Sequence, residues 1–309
     1  MNESILNIPK DLFGPREDIL LILGNGFDLD LGLKTRFKDF TNSSYWPFGD
    51  RAEYDGLGGF LNHSQKTDEW FDLESAMKEY CMSNGHSSDS QERLGKDKAD
   101  DKSLVEALKE YLSAIDVTKI NLQSKAAELI KNCFASPLGP ASIYTFNYTD
   151  LSSIVKTIDP EAAYNPNYVH GTLKSHIILG FEHNTKISGL TFMCKSQRVG
   201  YASSGIIKAM NKAKYIVFFG HSFCQIDYNM YFKDFFSKIS KGDPKNKFIR
   251  IITKDESSRQ SILSKLEGLD KLYQNTDFKA IKTSDHEDDS EFAKLYTGIM
   301  NPPVCFDVK

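Results

Sequence analysis

Ile19-Leu20-Leu21-Ile22-Leu23-Gly24-Asn25-Gly26-Phe27-Asp28 decides how the rest of the chain is read. It begins as an unbroken apolar run with no alternation, which fits a strand buried on both faces of a parallel sheet. Gly24 and Gly26 then turn the chain with no Cβ in the way, and Phe27 to Phe37 can open a helix. Strand, glycine turn and helix together set backbone N–H groups and a positive dipole end where a pyrophosphate can sit. The third glycine of the dinucleotide fingerprint is missing, so the turn reads equally as a tight strand-to-helix connection without a ligand.

Working outward, the same unit recurs. Ala141–Phe146 is β-rich, ends in Asn147-Tyr148-Thr149-Asp150, and is followed by Leu151, Ile154, Val155 and Ile158 at helical spacing. Tyr215–Phe219 is another buried run, turned by Gly220–Asp227 and followed by a Tyr- and Phe-rich helix to Ile239. Tyr168-Val169-His170-Gly171 and His176–Gly180 are short strand ends, and Phe248–Ile252 is a further strand. Helices are expected over Ser204–Ala213, Glu256–Leu266 and Asp289–Met300, with a short strand near Phe278–Ile281. Strands alternating with helices predict an α/β fold: a doubly wound, mostly parallel, Rossmann-like sheet.

Residues 17–40 and 137–309 are assigned to that Rossmann-like nucleotide-binding domain, and 41–136 to a mainly helical insertion. Within the insertion, 41–66 reads as a long loop. Trp70, Leu73, Met77 and Tyr80 mark an amphipathic helix that Asp68 can cap. Helices are expected near Leu104–Ile115 and Ile120–Phe134. The polar stretch 83–102 reads as an exposed, mobile loop.

Composition narrows the function classes. The 309 residues are 40% hydrophobic and 26% charged, with a formal net charge of −4. That balance argues against a broad nucleic-acid surface. No run approaches the roughly 18 apolar residues of a membrane span, and the N-terminus lacks the pattern of a secretory signal. Cys81, Cys133, Cys194, Cys224 and Cys305 are widely spaced and form no Cys-x-x-Cys pair. Reduced thiols, a cytoplasmic location and no metal are therefore expected.

Four polar turns follow strands: Gly24–Asp28, Asn147–Asp150, His170-Gly171 and Gly220–Asp227. In an open α/β sheet such turns converge beyond the carboxyl ends of the strands, where ligands bind. Gly24-Asn25-Gly26-Phe27-Asp28 with Gly32-Leu33, then Thr145-Phe146-Asn147, His170-Gly171 and Gly220-His221-Ser222-Phe223 resemble, in order, the motifs of the sirtuin-like NAD-binding superfamily. Within that group the chain is more similar to the AbiH family of bacterial phage abortive-infection proteins. That nearer likeness rests on Gly24–Asp28, Trp70–Glu74, Phe146–Asp150, and Gly220-His221-Ser222 followed by Asp227.

The resemblance implies an anti-phage effector that cleaves the nicotinamide–ribose bond of NAD. The amides of Gly24, Asn25 and Gly26, with Phe27 and Asp28, would hold the dinucleotide. Asn147 would bond the nicotinamide-side ribose or a water, and His170 would act as a base. Gly220, His221, Ser222 and Asp227 would complete the cofactor side. Partners implied are NAD or a related nucleotide, an unknown phage trigger or companion protein, no membrane, and a homo-oligomer as an option.

Departures from the sirtuin pattern weaken the expectation of NAD chemistry. The Cys-x-x-Cys zinc module is absent, and Thr35 and Phe37 stand where that pattern has Asp and Arg, with Arg36 between them. Thr149 stands where it has Asp, and Asp150 comes one place late. Alternatives stay open at several residues. Asn147 also reads as a helix cap, Asp227 as a cap or with His221 as a metal or nuclease pair, and Glu74 as a catalytic carboxylate or an ion-paired helix residue. A nucleotide-binding sensor without turnover and a metal-dependent nuclease are the competing functions.

Overall fold

The computed structural model describes residues 19–284 apart from 54, 69–70, 85–90, 136–141, 163, 183–188, 202–203, 243–246 and 267. The expected lead-in over 1–18, Trp70, His86 and the helix over 289–300 lie outside the described residues.

Among the described residues, six strands form one parallel sheet: β1 (Ile19–Leu23), β2 (Ser142–Thr145), β3 (Asn167–Tyr168), β4 (Tyr215–Phe219), β5 (Phe248–Thr253) and β6 (Asp277–Lys282). Their order is β3-β2-β1-β4-β5-β6, and all five pairings are parallel. This is the doubly wound order whose switch point lies between β1 and β4. Every residue of β1 and of β4 is buried, as the unbroken apolar runs require.

The helices are α1 (Asn25–Asp30), α2 (Phe37–Thr41), α3 (Gly56–Thr67), α4 (Leu73–Asn84), α5 (Gln91–Ser113), α6 (Lys125–Ala135), α7 (Leu151–Ile158), α8 (Ser204–Lys212), α9 (Gln225–Asp227), α10 (Lys233–Ser240), α11 (Glu256–Leu263) and α12 (Leu269–Asn275). A π-helical turn, Tyr228–Phe232, joins α9 to α10. Alternation along the central strands sorts the core into two layers. Leu21, Leu23, Val217 and Phe219 face Ile130 of α6 and Ile154 of α7. Leu20, Ile22, Ile216 and Phe218 face Met210 of α8 and Phe236 of α10. A third cluster joins α3, α4 and α5 to Ile177, Leu179, Phe181 and Met193.

Several expectations are corrected. The helix expected from Phe27 to Phe37 is two short pieces, α1 and α2, separated by Gly32 at φ +86°. The expected loop 41–66 holds all of α3 but its last residue. The amphipathic helix begins at Leu73, and Asp72 rather than Asp68 caps it, its Oδ1 accepting from the amides of Glu74 and Ser75. His176–Gly180 forms no strand; its one ladder contact is the isolated bridge Gly171–Ile177. Helix α12 was not anticipated.

The largest correction concerns 83–102. Residues 91–102 are the first half of α5, and its aspartates Asp97, Asp100 and Asp101 are buried rather than solvated. Asp97 accepts from the Leu57 amide at 2.9 Å and from the Tyr80 hydroxyl at 2.8 Å. Asp100 accepts from the Gly58 amide at 3.0 Å and pairs with Arg51 at 2.7 Å. These two carboxylates thus satisfy the free amides at the start of α3, where negative charge is favoured. Composition alone could not reveal that, because the partners lie some forty residues upstream.

Candidate functional site

At the switch point the turns after β1 and β4 press together backbone to backbone. Gly24 N–H donates to Phe219 O at 2.9 Å, and Gly26 N–H to Gly220 O at 2.8 Å. A Cβ on Gly24 would stand 2.5 Å from His221 Cα, and one on Gly26 2.6 Å from Gly220 Cα. Gly220 itself sits at φ +62°. The glycines are required by this close crossing.

That geometry corrects the expected pyrophosphate cradle, since the Gly24 and Gly26 amides are spent on the end of β4. Asn25 is exposed and its side chain closes onto Thr35, whose hydroxyl donates to Asn25 Oδ1 at 2.6 Å. Phe27 is core, edge-on to Phe219 with centroids 5.8 Å apart. Ser222 is exposed, and its carbonyl accepts from Lys265 Nζ at 3.0 Å.

Asn147 is not a helix cap; Asp150 caps α7 by accepting from the Ser153 amide. Asn147 instead clamps the two strand ends, its Nδ2 donating to Gly24 O at 3.1 Å and to Asp28 Oδ1 at 2.7 Å. Thr149 Oγ1 donates to Asp28 Oδ2 at 2.8 Å. Asn147 therefore acts on the β1 turn, with both amide donors engaged. Burial pushes Asp28 up to about 7, against the pull of the Thr149 and Asn147 hydrogen bonds.

The sign of the resulting pH dependence follows. A carboxyl that titrates near 7 folded and near 4 unfolded keeps its proton in the native state across that interval. The stability Asp28 contributes is full below about 4 and is lost as pH rises through about 7. Asp28→Asn cannot ionise, so its stability relative to wild type should rise by roughly 2–3 kcal/mol between pH 5 and pH 8. Urea unfolding at both pH values checks this; parallel curves would mean Asp28 titrates with its ordinary pKa.

Beside this clamp lies a buried charged cluster with a lysine at its centre. Lys195 Nζ is 2.9 Å from Glu74 Oε2, 3.1 Å from His170 Nε2 and 3.3 Å from Asp227 Oδ1. Lys195 is fully buried, and Glu74, His170, His221 and Asp227 are each less than a tenth exposed. Glu74 comes from the first turn of α4, His170 follows β3, and Asp227 ends α9. The other Glu74 oxygen accepts from the Gly180 amide at 3.2 Å. Lys195 is fixed through its backbone, whose N–H donates to Phe181 O at 2.9 Å. Arg198 braces the same segment with a two-pronged pair to Asp101 at 2.6 and 2.7 Å.

The charges are unequal in their surroundings. Burial alone would raise Asp227, but Lys195 and then His170 hold it well below the usual carboxylate range. Burial raises Glu74 above the usual glutamate range, more than Lys195 pulls it back. Burial works against the Lys195 charge too, yet Glu74 and Asp227 outweigh it and hold the ammonium above the ordinary lysine range.

The two histidines differ as well. His221 Nδ1 accepts from the Phe223 amide at 3.0 Å, which places the proton of the neutral ring on Nε2, toward Asp227 Oδ2 at 3.8 Å. Burial drives His221 down to about 4, so it is neutral at pH 7. Phe223 adopts φ +50°, a strained conformation for a bulky residue, and its buried ring packs on Phe218 and Phe232. His170 Nε2 faces both Lys195 and, at 3.3 Å, Asp227 Oδ1. With a proton there it donates to Asp227; without one it accepts from Lys195. Phe146 walls both rings, 4.5 Å from His221 and 5.1 Å from His170.

The structure thus joins His170, His221, Asp227 and Glu74 in one cluster and resolves Glu74 as buried rather than exposed. It leaves Asn25 and Ser222 outside. Lys195 was missed by sequence reasoning. It is a single lysine closing Phe192-Met193-Cys194, a charge at the end of an apolar run, and that is the one signal it carries. Among the described residues, no three His, Cys, Asp or Glu side chains are grouped to hold a metal ion, and no helix is long and apolar enough to cross a membrane.

In comparison with known proteins, residues 20–249 match the family model described as bacteriophage abortive infection AbiH. No curated protein matches the chain.

Proposed function

We propose, for a chain that belongs to the AbiH family of bacteriophage abortive infection proteins, that the lysine-centred cluster is the active centre of a nucleotide glycohydrolase, with NAD as substrate. The observation that carries this reading is a pair of buried carboxylates on one ammonium, Asp227 held down and Glu74 pushed up, at the carboxyl end of a parallel sheet. Carboxylates driven apart in this way mark acid and base roles, and that end of the sheet is where nucleotides bind.

The chemistry asks little of a leaving-group acid. Nicotinamide departs from NAD as a neutral base when the C1′–N1 electron pair returns to the pyridinium nitrogen. What remains is an oxocarbenium-like ribose that a carboxylate can stabilise and water can attack. Asp227 supplies the negative charge, and His170 beside it takes the proton as the water oxygen bonds to C1′. Lys195 orients both carboxylates and keeps Asp227 ionised. The pyrophosphate is not assigned to Gly24 and Gly26, whose amides are occupied. A metal-dependent nuclease is disfavoured because Lys195 fills the place a cation would take between Glu74, His170 and Asp227.

Incubation of purified protein with NAD, following nicotinamide by chromatography, tests the reading. Nicotinamide release is expected from wild type, reduced at least about 100-fold in His170→Ala and Asp227→Asn. Tight nucleotide binding without any release would instead support a sensor. Equal release by wild type and both variants would rule the cluster out.

A further inference from the structure

Among the described residues, the Tyr231 hydroxyl is buried without a hydrogen-bond partner, in a side chain 2% exposed. Its hydroxyl neighbour, Tyr201, makes a weak contact that helps to raise the phenol but falls short of full hydrogen-bond geometry. Buried hydroxyls are almost always partnered, because losing water uncompensated is costly. This one is held firmly in place: its ring packs 5.4 Å from Phe146 and 6.4 Å from His170. Tyr231 belongs to the π-helical turn that directly follows Asp227. Such turns shift side chains off the regular helical spacing and recur at functional sites.

Tyr231 and Asp227 are complementary. Burial, and after it the Asp227 charge, keep the phenol protonated, so it offers a donor. On Asp227, Oδ1 is taken by Lys195 and His170. The nearest ion-pair partner of Oδ2, His221 Nε2, is 3.8 Å away, beyond hydrogen-bond reach. A spare donor and a spare acceptor on successive turns of one element suit a group that accepts and donates at once, which is a hydroxyl. A hydroxyl does both through one oxygen, whereas a base carboxamide accepts at its oxygen and donates from a separate nitrogen.

We infer that Tyr231 and Asp227 Oδ2 bind the ribose 2′-hydroxyl next to the scissile bond, Tyr231 donating to its oxygen and Asp227 accepting its proton, so that the enzyme selects ribonucleotides over deoxyribonucleotides. This rests on the glycohydrolase reading above. Sites built to hydrogen-bond a substrate hydroxyl reject analogues that lack it.

The test is Tyr231→Phe, which removes only the hydroxyl. Thermal melting should be unchanged or slightly higher than wild type, because no internal bond is lost; a fall beyond about 3 °C would mean the hydroxyl serves the fold and would overturn the inference. Nicotinamide release is then measured with NAD and with its 2′-deoxy analogue on the nicotinamide side, each divided by its spontaneous rate. Wild type should favour NAD by about 100-fold or more, and Tyr231→Phe should shrink that ratio at least about tenfold. A ratio left intact overturns the inference while the glycohydrolase reading stands. If wild type neither releases nicotinamide nor binds ADP-ribose in calorimetry, both fall together.

Discussion

Lys195→Met should destabilise the protein by roughly 3–5 kcal/mol at pH 7. The substitution keeps an unbranched side chain one atom shorter but leaves Glu74 and Asp227 as buried carboxylates without their shared ammonium. Removing one partner of a buried pair costs far more than the pair itself contributes, because the remaining charge stays desolvated. The deficit has a pH signature. In wild type, Asp227 sits below its unfolded pKa, so its contribution is present above about pH 4 and is lost as pH falls. Without Lys195 both carboxyls rise and take up protons in the native state, so the variant should recover relative to wild type as pH drops from 7 to 5. Urea unfolding at the two pH values measures this. Adding Glu74→Gln should restore part of the loss at pH 7. A cost below about 1 kcal/mol, with no pH dependence, would mean that Lys195 is not the hub.

Gly220→Ala carries the second large effect, for a steric reason. A Cβ at this position would lie 2.4 Å from the Gly26 carbonyl carbon and 2.5 Å from its Cα, both backbone atoms that no rotamer change can move. Alanine would also have to hold φ +62°, which adds about 1–3 kcal/mol of strain. Overpacking adds roughly as much again, so a loss of about 3–5 kcal/mol is expected. The damage should reach the site, because the clash parts the Gly24–Phe219 and Gly26–Gly220 bonds that join the turn carrying Asp28 to the turn carrying His221. A melting curve within 2 °C of wild type would show that the crossing can widen at little cost.

Elements that bury apolar side chains on both faces were legible in the sequence. Ile19–Leu23 and Tyr215–Phe219 read as central strands because nothing in them tolerates water, and they are the two strands at the switch point. The turns beside them were legible as turns, but their glycines read equally as a phosphate cradle and as a tight connection without a ligand. What demands glycine there is the contact between two backbones far apart in sequence, and a single turn carries no mark of its partner. The same limit hid α5. Asp97, Asp100 and Asp101 look like solvated charge in any local window, and only the start of α3, Tyr80 and Arg198 make them structural.

The candidate site was visible in part. His170, His221 and Asp227 stand in the turns that follow strands, where the topology gathers ligand-binding groups, so position together with the motif resemblance nominated them. Glu74 was ambiguous because a helix presents its residues to both solvent and interior; its burial comes from the Gly180 amide and Lys195, which arrive from later in the chain. Lys195 belongs to a segment with neither helical nor strand periodicity, and its role exists only through three partners brought in by other elements.

The most direct measurement is a crystal structure of the protein with ADP-ribose, the product left when nicotinamide departs. The account predicts the terminal ribose against the lysine-centred cluster, with C1′ within about 4 Å of the Asp227 carboxylate and the 2′-hydroxyl between Asp227 and Tyr231. ADP-ribose bound elsewhere on the molecule, or no bound nucleotide at saturating concentration in an intact crystal, would contradict it.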